Sequence, residues 1–295
     1  MLRRTAVYAV VHALFGMSIL LVMLGAQDSG SDRVIVAVLD TGVDDSHPML
    51  QGKVIQGFDF VDFKSVSEDT VGHGTHVAGI IASKAPDAEI LSVRVISNED
   101  RLHNTYLAIL YAIAKGARII NMSYAEPYHW LTDLAVRYGR AKGVLFVASS
   151  GNRGINGSFY PAKYEGVYSI SGFNEREQTI FGNYGTEVHY LAPSVRIRSA
   201  GLNGGYAFKT GTSMAAAYVS GVLAYLMTIR PDLSEKEIIQ FLDDYSRSEV
   251  FAHDDLTEPM EYKIVDSAHI QAAVSGLAEL TAAYSHGMNA WNRNN

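Results

Sequence analysis

Short, continuous apolar runs alternate with segments of helical periodicity through most of this sequence. The run from Val34 to Leu39 is uninterrupted and rich in β-branched residues, as is typical of a strand buried on both faces. Similar runs predict further strands at residues 89–95, 118–122, 144–148 and 167–171. Helical patterns fall between them at residues 73–83, 104–115 and 128–142. This alternation predicts βαβ units and an α/β fold whose mostly parallel central sheet is flanked by helices.

The last third of the sequence predicts three more helices. The longest covers residues 211–229, is largely apolar and ends just before a proline, which cannot continue a helix. Ser234 and Glu237 have the spacing of a capping box, so a helix over residues 235–245 is expected to begin there. A final helix is predicted from residue 267 to about residue 284.

The first 33 residues form a signal or anchor segment and linker ahead of one globular domain, predicted over residues 34–285, and a polar tail, residues 286–295, follows it. Residues 5–26 hold no charged side chain. A membrane span needs about 20 apolar residues, whereas the apolar part of a signal peptide has about 7–15. Three alternatives stay open: an uncleaved anchor, a cleaved export signal, or a buried helix. Arg3 and Arg4 favour a cytoplasmic N-terminus with the rest of the chain exported.

Composition narrows the class of protein. The chain has 295 residues, of which 48% are hydrophobic, so it can bury one large core. Its net charge is -7 and it has no long basic run, which argues against nucleic acid as a partner. Cysteine is absent, so disulfides and thiolate metal sites are excluded.

Four short segments, far apart in the sequence, carry the side chains that acyl-transfer chemistry requires. Asp40 offers a carboxylate and His73 an imidazole. Ser213 offers a hydroxyl, and Asn152 offers a side-chain amide donor. A serine hydroxyl is a weak nucleophile until a base takes its proton, and a carboxylate fixes the tautomer of that base. Because Asp40 and Asn152 follow predicted strands while His73 and Ser213 begin predicted helices, one shared cleft is expected.

Each segment has another interpretation when taken alone. Asp40-Thr41-Gly42 also matches the loop of aspartic proteases, but those enzymes need two such loops and this sequence has one. His73 and His76 are spaced like a metal pair on a helix, yet no third ligand accompanies them. We therefore expect no metal there and a structural His76. The Gly-Thr-Ser segment could simply cap a helix. Together, the four segments favour nucleophilic catalysis.

In this combination the segments resemble the subtilisin-like serine proteases, or subtilases, and the likeness extends over residues 34–274. The family's D-T-G, H-G-T-H-V-A-G and G-T-S-M-A segments are intact here. The resemblance implies a three-layer α/β sandwich in which Asp40 orients the base, His73. It also implies that Ser213 is the nucleophile and that Asn152 helps to hold the oxyanion.

Two departures from the family concern folding and metals. Only residues 27–33 separate the apolar segment from the first strand, where exported subtilases usually carry a pro-domain. We therefore expect folding to be unaided or helped by another molecule in trans. After His76 the helix continues without the family's calcium-binding loop, and no set of six to eight oxygen ligands is evident. No calcium site and no cofactor are expected.

A further departure lies where the family pairs its backbone with substrate. The segment Ser123-Tyr124-Ala125-Glu126 stands where the family usually has Ser-Leu-Gly-Gly, and substrate is expected to add there as a strand. Arg153 is expected beside the same pocket. Either Glu126 and Arg153 pair with each other, or one of them is free. A free Arg153 would favour an acidic residue before the cleaved bond, and a free Glu126 a basic one.

These observations predict an exported, membrane-tethered serine endopeptidase that acts on protein or peptide substrates. Two alternatives stay open on the same fold, namely a non-catalytic module that binds extended peptides and a maturation protease of narrow specificity. If residues 5–26 are retained, the domain is anchored in a membrane and lies outside the cytoplasm. If they are removed, the protein is secreted or periplasmic.

Overall fold

The computed structural model describes residues 33–253 and 258–276. These run from the linker before the first predicted strand into the last predicted helix. The apolar segment at residues 5–26, the end of the last helix and the polar tail at residues 286–295 lie outside the described residues, so what the sequence predicts for them stays a prediction.

Twelve strands lie within the described residues. The first six are β1 (Ile35–Asp40), β2 (Val54–Asp59), β3 (Glu89–Arg94), β4 (Ile119–Met122), β5 (Leu145–Ser149) and β6 (Val167–Asn174). The other six are β7 (Thr179–Phe181), β8 (Tyr190–Pro193), β9 (Ile197–Ala200), β10 (Tyr206–Lys209), β11 (Arg247–Phe251) and β12 (Met260–Ile264).

Ten of these described strands form one sheet in the order β11-β12-β8-β6-β5-β4-β1-β3-β2, with β7 added beside β6. Neighbours from β2 across to β12 pair in parallel, whereas β7 and β11 pair antiparallel. Strands β9 and β10 form a separate antiparallel hairpin. The central strands β1 and β4 are fully buried, as their continuous apolar runs predicted.

The helices pack on both faces of this sheet. Within the described residues they are α1 (His73–Lys84), α2 (Thr105–Ala114), α3 (Trp130–Ala141), α4 (Thr212–Ile229), α5 (Glu235–Tyr245) and α6, which begins at residue 267. Val36 and Val38 of β1 face a core shared with α1, α4 and α5. Ala37 and Leu39 face a second core shared with α2 and α3. This arrangement is the predicted three-layer α/β sandwich.

Helix α4 runs through the first core. Among the described residues it is the one helix long and apolar enough to cross a membrane, but 83% of it is buried inside the domain. Its apolar character is therefore explained by its place in the core.

The sequence located the central elements within three residues of their observed bounds, including five strands, five helices and the start of α6. The capping box of Ser234 and Glu237 is present at the start of α5. The strands that were missed are β2 and those after β6. They are short or interrupted by polar residues, so their apolar pattern is weak, and β11 lies at the sheet edge with alternating exposure.

Helix α1 and strand β9 approach each other closely at Gly79. A Cβ atom at this position would lie 2.9 Å from the Cβ atom of Ala200. One turn earlier in the helix, the carbonyl of His76 accepts a hydrogen bond of 2.8 Å from the hydroxyl of Ser199. The small residue therefore sets how near the β9–β10 hairpin lies to the helix that begins at His73.

Gly79→Val should lower the free energy of unfolding by about 1–3 kcal/mol, because a closely packed contact accommodates added methyl groups only by displacement. Ser83→Val is the matched control, since Ser83 is exposed on the same helix and receives the same side chain. Urea denaturation of both variants gives the comparison. Equal losses of stability would contradict a close contact at Gly79.

Candidate active site

The structure brings the predicted residues to the carboxyl ends of the central strands. Asp40 is the last residue of β1, Ser123 directly follows β4, and Asn152 lies just beyond β5. Strand β4 pairs with both β1 and β5, so these three ends are neighbours. Helices α1 and α4 begin at the same edge, with His73 and Ser213 in their first turns.

A short hydrogen bond joins Asp40 and His73. The Nδ1 atom of His73 lies 2.7 Å from Oδ1 of Asp40. Asp40 is fully buried, whereas the His73 side chain is 27% exposed. The same Oδ1 atom accepts the backbone N–H of Thr41 at 2.8 Å, and Oδ2 is buried without a hydrogen-bond partner among the described residues. A carboxylate in this position favours the tautomer with the proton on Nδ1, which leaves Nε2 as a proton acceptor.

The environment of His73 favours its protonated form. Burial disfavours the charged ring and lowers the pKa of His73, but the charge of Asp40 and the hydrogen bond to it outweigh that effect. The net result is a pKa above the ordinary value of 6.5. Because of Asp40, the His73 ring binds a proton more strongly than a free histidine does.

Asp69, which the sequence analysis missed, holds this pair in place. One of its carboxylate oxygens accepts the Thr41 hydroxyl at 2.9 Å and the N–H of Gly72 at 2.8 Å. The other accepts the N–H and the hydroxyl of Thr75 at 2.9 and 2.6 Å. The Thr41 hydroxyl in turn accepts the N–H of Gly74 at 2.9 Å. A carboxylate just before an apolar helix was the signal that could have found it, because helix N-termini carry unpaired N–H donors.

Ser213 is the second residue of α4 and is 9% exposed. Its hydroxyl donates to the carbonyl of Ser123 at 3.0 Å, and the Ser123 hydroxyl donates to the carbonyl of Ser213 at 3.1 Å. The Asn121 side chain supports this pair by donating to the Ser123 hydroxyl at 2.9 Å. Among the described residues no hydrogen bond joins Ser213 to His73, so the serine hydroxyl is directed toward β4 in this structure.

The Asn152 side chain is oriented by the start of α4. Its Oδ1 atom accepts the N–H and the hydroxyl of Thr212 at 2.9 and 3.0 Å. With the carbonyl end engaged in this way, Nδ2 remains as a donor next to Ser213. The N–H of Ser213, in the first turn of α4, is a further donor at the start of this helix.

The chain matches the family model of the subtilases, peptidase family S8, over residues 31–274. It belongs to the subtilase family. It is 42% identical over 211 residues to a thermophilic serine proteinase of Bacillus sp. (strain AK1) and 38% identical over 215 residues to thermitase of Thermoactinomyces vulgaris. The Bacillus relative is a serine proteinase by its name.

The extent of the similarity differs among these relatives. The alignment with the Bacillus proteinase covers 67% of this chain but only 53% of the proteinase, and that with thermitase covers 68% and 76%. A solved cold-adapted subtilisin-like serine proteinase has a TM-score of 0.69 and 27% identity, with 82% of this chain and 91% of that one covered. The chain thus spans about half the length of its Bacillus relative, and the fold is shared almost throughout the subtilisin-like structure.

In this subtilase a cleft of about 450 Å³ opens beside Ser213. All the residues predicted to bind substrate line this cleft, namely Ser123, Tyr124, Ala125, Glu126 and Arg153. The other residues that line it, besides Ser213, are Pro127, Ser149, Gly151, Asn152 and Phe159. Ala125 is exposed along this segment, whereas Tyr124 is largely buried. The exposed Ala125 is therefore the part of the segment most open to a ligand.

Glu126 and Arg153 do not form an ion pair with each other. Arg153 is exposed, its guanidinium lies 5.2 Å from the ring centre of Phe159, and it has no ion-pair partner in residues 33–253 and 258–276. The backbone N–H of Glu126 donates to the carbonyl of Tyr160 at 2.7 Å. Its Oε1 atom is buried, with no hydrogen-bond partner among the described residues. Pairing across the rim, one of the open alternatives, is thereby excluded.

The burial of Glu126 changes its charge near neutral pH. Burial raises the pKa of Glu126 to about 7, although the hydroxyls of Thr105 and Tyr164 partly oppose this. The carboxyl is therefore close to half protonated at neutral pH. Protonation of Glu126 removes a negative charge, so the cleft becomes more positive as the pH falls.

His76 is structural, as expected. It is fully buried, and its Nε2 atom lies 3.1 and 3.2 Å from the carbonyl oxygens of Ile197 and Ala207. Burial lowers the pKa of His76 to about 4, so the ring is neutral at physiological pH. Within the described part of the chain no group of three or more His, Asp or Glu side chains is arranged to hold a metal ion.

Glu126→Gln should stabilise the domain more at pH 8 than at pH 5. The folded domain holds the Glu126 proton up to about pH 7, whereas the unfolded chain releases it near the ordinary pKa of 4.5. The contribution of Glu126 to the free energy of unfolding therefore falls as the pH rises from about 4.5 to 7. A glutamine does not titrate, so the variant does not lose stability in this way. Urea denaturation at both pH values measures the effect, in a Ser213→Ala background that prevents self-digestion.

Glu261→Gln serves as the control for this substitution, because Glu261 is exposed on β12. The pH-dependent effect of Glu126→Gln should exceed any effect of this control. A Glu126→Gln effect that is independent of pH would mean that the carboxyl titrates normally.

Proposed function

We propose that this subtilase is a serine endopeptidase that acts through Asp40, His73 and Ser213. The observation that supports it most is the 2.7 Å hydrogen bond between the fully buried Asp40 and the partly exposed His73. A buried carboxylate bonded to Nδ1 orients the imidazole and stabilises the imidazolium that forms during acyl transfer. Ser213 stands at the same edge of the sheet, at the start of α4.

His73 is the general base of the proposed reaction. The Ser213 hydroxyl leaves the carbonyl of Ser123 and gives its proton to Nε2 of His73 as it attacks the substrate carbonyl. The imidazolium then donates that proton to the leaving amine, and a water molecule activated by His73 hydrolyses the acyl-enzyme. A hydrogen bond that is missing without substrate is common in such sites and forms in the complex.

Asn152 is the proposed electrostatic stabiliser of this reaction. Its Oδ1 atom is occupied by Thr212, so its Nδ2 donors are available to the oxygen of the substrate carbonyl. The N–H of Ser213, at the start of α4, would be the second donor. Donors fixed before the reaction stabilise the developing oxyanion without reorganisation.

The proposed substrates are protein or peptide chains that lie along the segment from Ser123 to Glu126. The exposed position of Ala125 suits addition of an extended strand. A maturation protease of narrow specificity is the second candidate, supported by the charged residues at the cleft. Arg153 is exposed there without an ion-pair partner in the described ranges, and Glu126 is half buried.

The proposed location is outside the cytoplasm. Support comes from Arg3 and Arg4 ahead of the uncharged residues 5–26, a pattern that orients the following chain away from the cytoplasm. Retention of this segment would tether the protease to the membrane. Its removal would release the protease, and the mass of the mature N-terminus distinguishes the two.

Ser213→Ala should lower kcat by about a millionfold and Asn152→Ala by about a hundred- to a thousandfold, the losses known for subtilisin itself. The larger loss follows from removing the nucleophile, and the smaller from removing one oxyanion donor. Hydrolysis of casein measures activity, and a fluorophosphonate probe should label the parent and Asn152→Ala but not Ser213→Ala. Labelling without casein hydrolysis would favour a narrow-specificity protease, and no labelling of the parent would favour the peptide-binding module.

Asp40→Asn should lower kcat/KM by about ten-thousandfold and move the acid limb of the residual activity to lower pH. In the parent, activity is lost as the pH falls through the raised pKa of His73, because the protonated ring cannot act as a base. Without the charge of Asp40, burial is the largest remaining effect on the ring and favours its neutral form. Profiles of kcat/KM from pH 5 to 9 test this, with the exposed Asp87→Asn as control. An unmoved acid limb would show that Asp40 does not act on His73.

A further inference from the structure

The outer face of the β9–β10 hairpin is basic and aromatic. Tyr206 and Phe208 project from β10 and are 48% and 62% exposed. Arg198 lies directly opposite Phe208 in the antiparallel register, and Arg196 immediately precedes β9. Both arginines are exposed. Arg196, Arg198, Tyr206 and Phe208 are together termed the hairpin face.

Stacking orders these four side chains. The guanidinium of Arg198 lies 3.8 Å from the ring centre of Tyr206, and that of Arg196 lies 5.9 Å from the ring centre of Phe208. The Tyr206 ring also meets His47 edge-on, with centroids 5.1 Å apart. Neither arginine has an ion-pair partner among the residues that the structure describes. The face therefore offers ordered N–H donors, which reduces the conformational entropy lost when a ligand binds.

The hairpin packs beside helix α1, which begins at His73. The buried ring of His76 bonds through Nε2 to the carbonyls of Ile197 and Ala207, so both strands are fastened to α1. Lys209, at the end of β10, is near enough that its charge opposes protonation of His73. The turn of the hairpin also lies against the residue before His73, because a Cβ atom at Gly72 would be 3.1 Å from the side chain of Leu202.

The chemistry of the proposed reaction decides which part of a substrate meets this face. The acyl part occupies the cleft between Ser123 and Arg153, next to Ser213. His73 gives its proton to the leaving amine, so the leaving part of the substrate lies toward His73. Residues after the cleaved bond therefore extend toward the hairpin.

We propose that the hairpin face binds an acidic stretch of the substrate, on the leaving-group side of the cleaved bond. This inference rests on the proposed endopeptidase function and adds a substrate class to it. Each guanidinium bonds a carboxylate through paired N–H donors, while the rings pack against the aliphatic part of a glutamate. A short acidic peptide fits a face of four side chains. The net charge of -7 opposes the approach of an extended anionic surface such as a membrane or nucleic acid.

Two fluorogenic peptides test the proposal. Both carry an acyl part taken from a site that the enzyme cleaves in casein, followed after the cleaved bond by Glu and Asp residues in one and by Gln and Asn in the other. At low salt kcat/KM should be about tenfold higher for the acidic peptide. The ratio should fall toward one as ionic strength rises. In Arg196→Gln/Arg198→Gln it should be about one even at low salt.

Lys142→Gln/Lys236→Gln is the matched control, because it removes the same charge from two exposed lysines. Lys142 lies between α3 and β5, at the amino end of that strand and away from the site. This control should keep the parent's preference for the acidic peptide. Two results would overturn the inference while leaving the endopeptidase function standing. One is equal cleavage of the two peptides by the parent, and the other is a preference for the acidic peptide that persists in the arginine variant. Failure of the parent both to react with the fluorophosphonate probe and to cleave casein would instead refute the function, and the inference with it.

Sedimentation with phosphatidylserine vesicles tests the other anionic ligand. The arginine variant and the lysine control should bind these vesicles equally, because neither changes residues 5–26. Vesicle binding that is weaker only in the arginine variant, combined with equal cleavage of both peptides, would assign the hairpin face to a membrane surface. That result would replace the proposed acidic peptide.

Discussion

The buried hydrogen bond between Asp40 and His73 is the constraint on which the rest of the domain depends. A carboxylate removed from water is stable only where hydrogen-bond donors replace its hydration. Strand β1, in the middle of the sheet, places Asp40 where both faces are covered. Thr41 supplies the second donor to Asp40, and Asp69 holds both Thr41 and the first turn of α1. A hydrogen-bond network that begins at Thr41, one residue after β1, therefore holds Asp40 and His73 in position.

The position of the nucleophile depends on close packing of α1 against α4. A Cβ atom at Gly221 would lie 2.7 Å from the Cβ atom of Lys84, and one at Gly74 would lie 3.1 Å from that of Asp40. Glycine at both contacts lets the helices approach each other and the end of β1, so their first turns meet at one edge of the sheet. A displacement of about 1 Å in such a site costs on the order of a hundredfold in rate. Stability and catalysis therefore draw on the same contacts.

Sequence patterns predicted the features whose physical signal is local. Strand β1 is a continuous apolar run, and the helix start at Ser234 is set by residues three apart, so both could be located without a structure. The partners of Asp69 include Thr41, 28 residues away, and no pattern indicates which threonine it meets. The inward turn of Glu126 likewise depends on a bridge to Tyr160. The sequence positions of Glu126 and Arg153 do not show whether the two form an ion pair or whether the carboxyl is buried, because that difference arises only in the folded domain.

The charges around the site also explain why net charge is a poor guide to substrate choice. The chain carries -7 overall, yet exposed Arg153 lies beside the cleft while Arg196 and Arg198 lie beyond His73. Interactions between exposed charges fade over a Debye length of about 8–10 Å, so a bound peptide responds to these nearby cations more than to distant acids. Burial of Glu126 removes negative charge from the cleft as the pH falls below about 7. The local field at Ser213 is therefore set by a few placed side chains, and it becomes more positive on acidification.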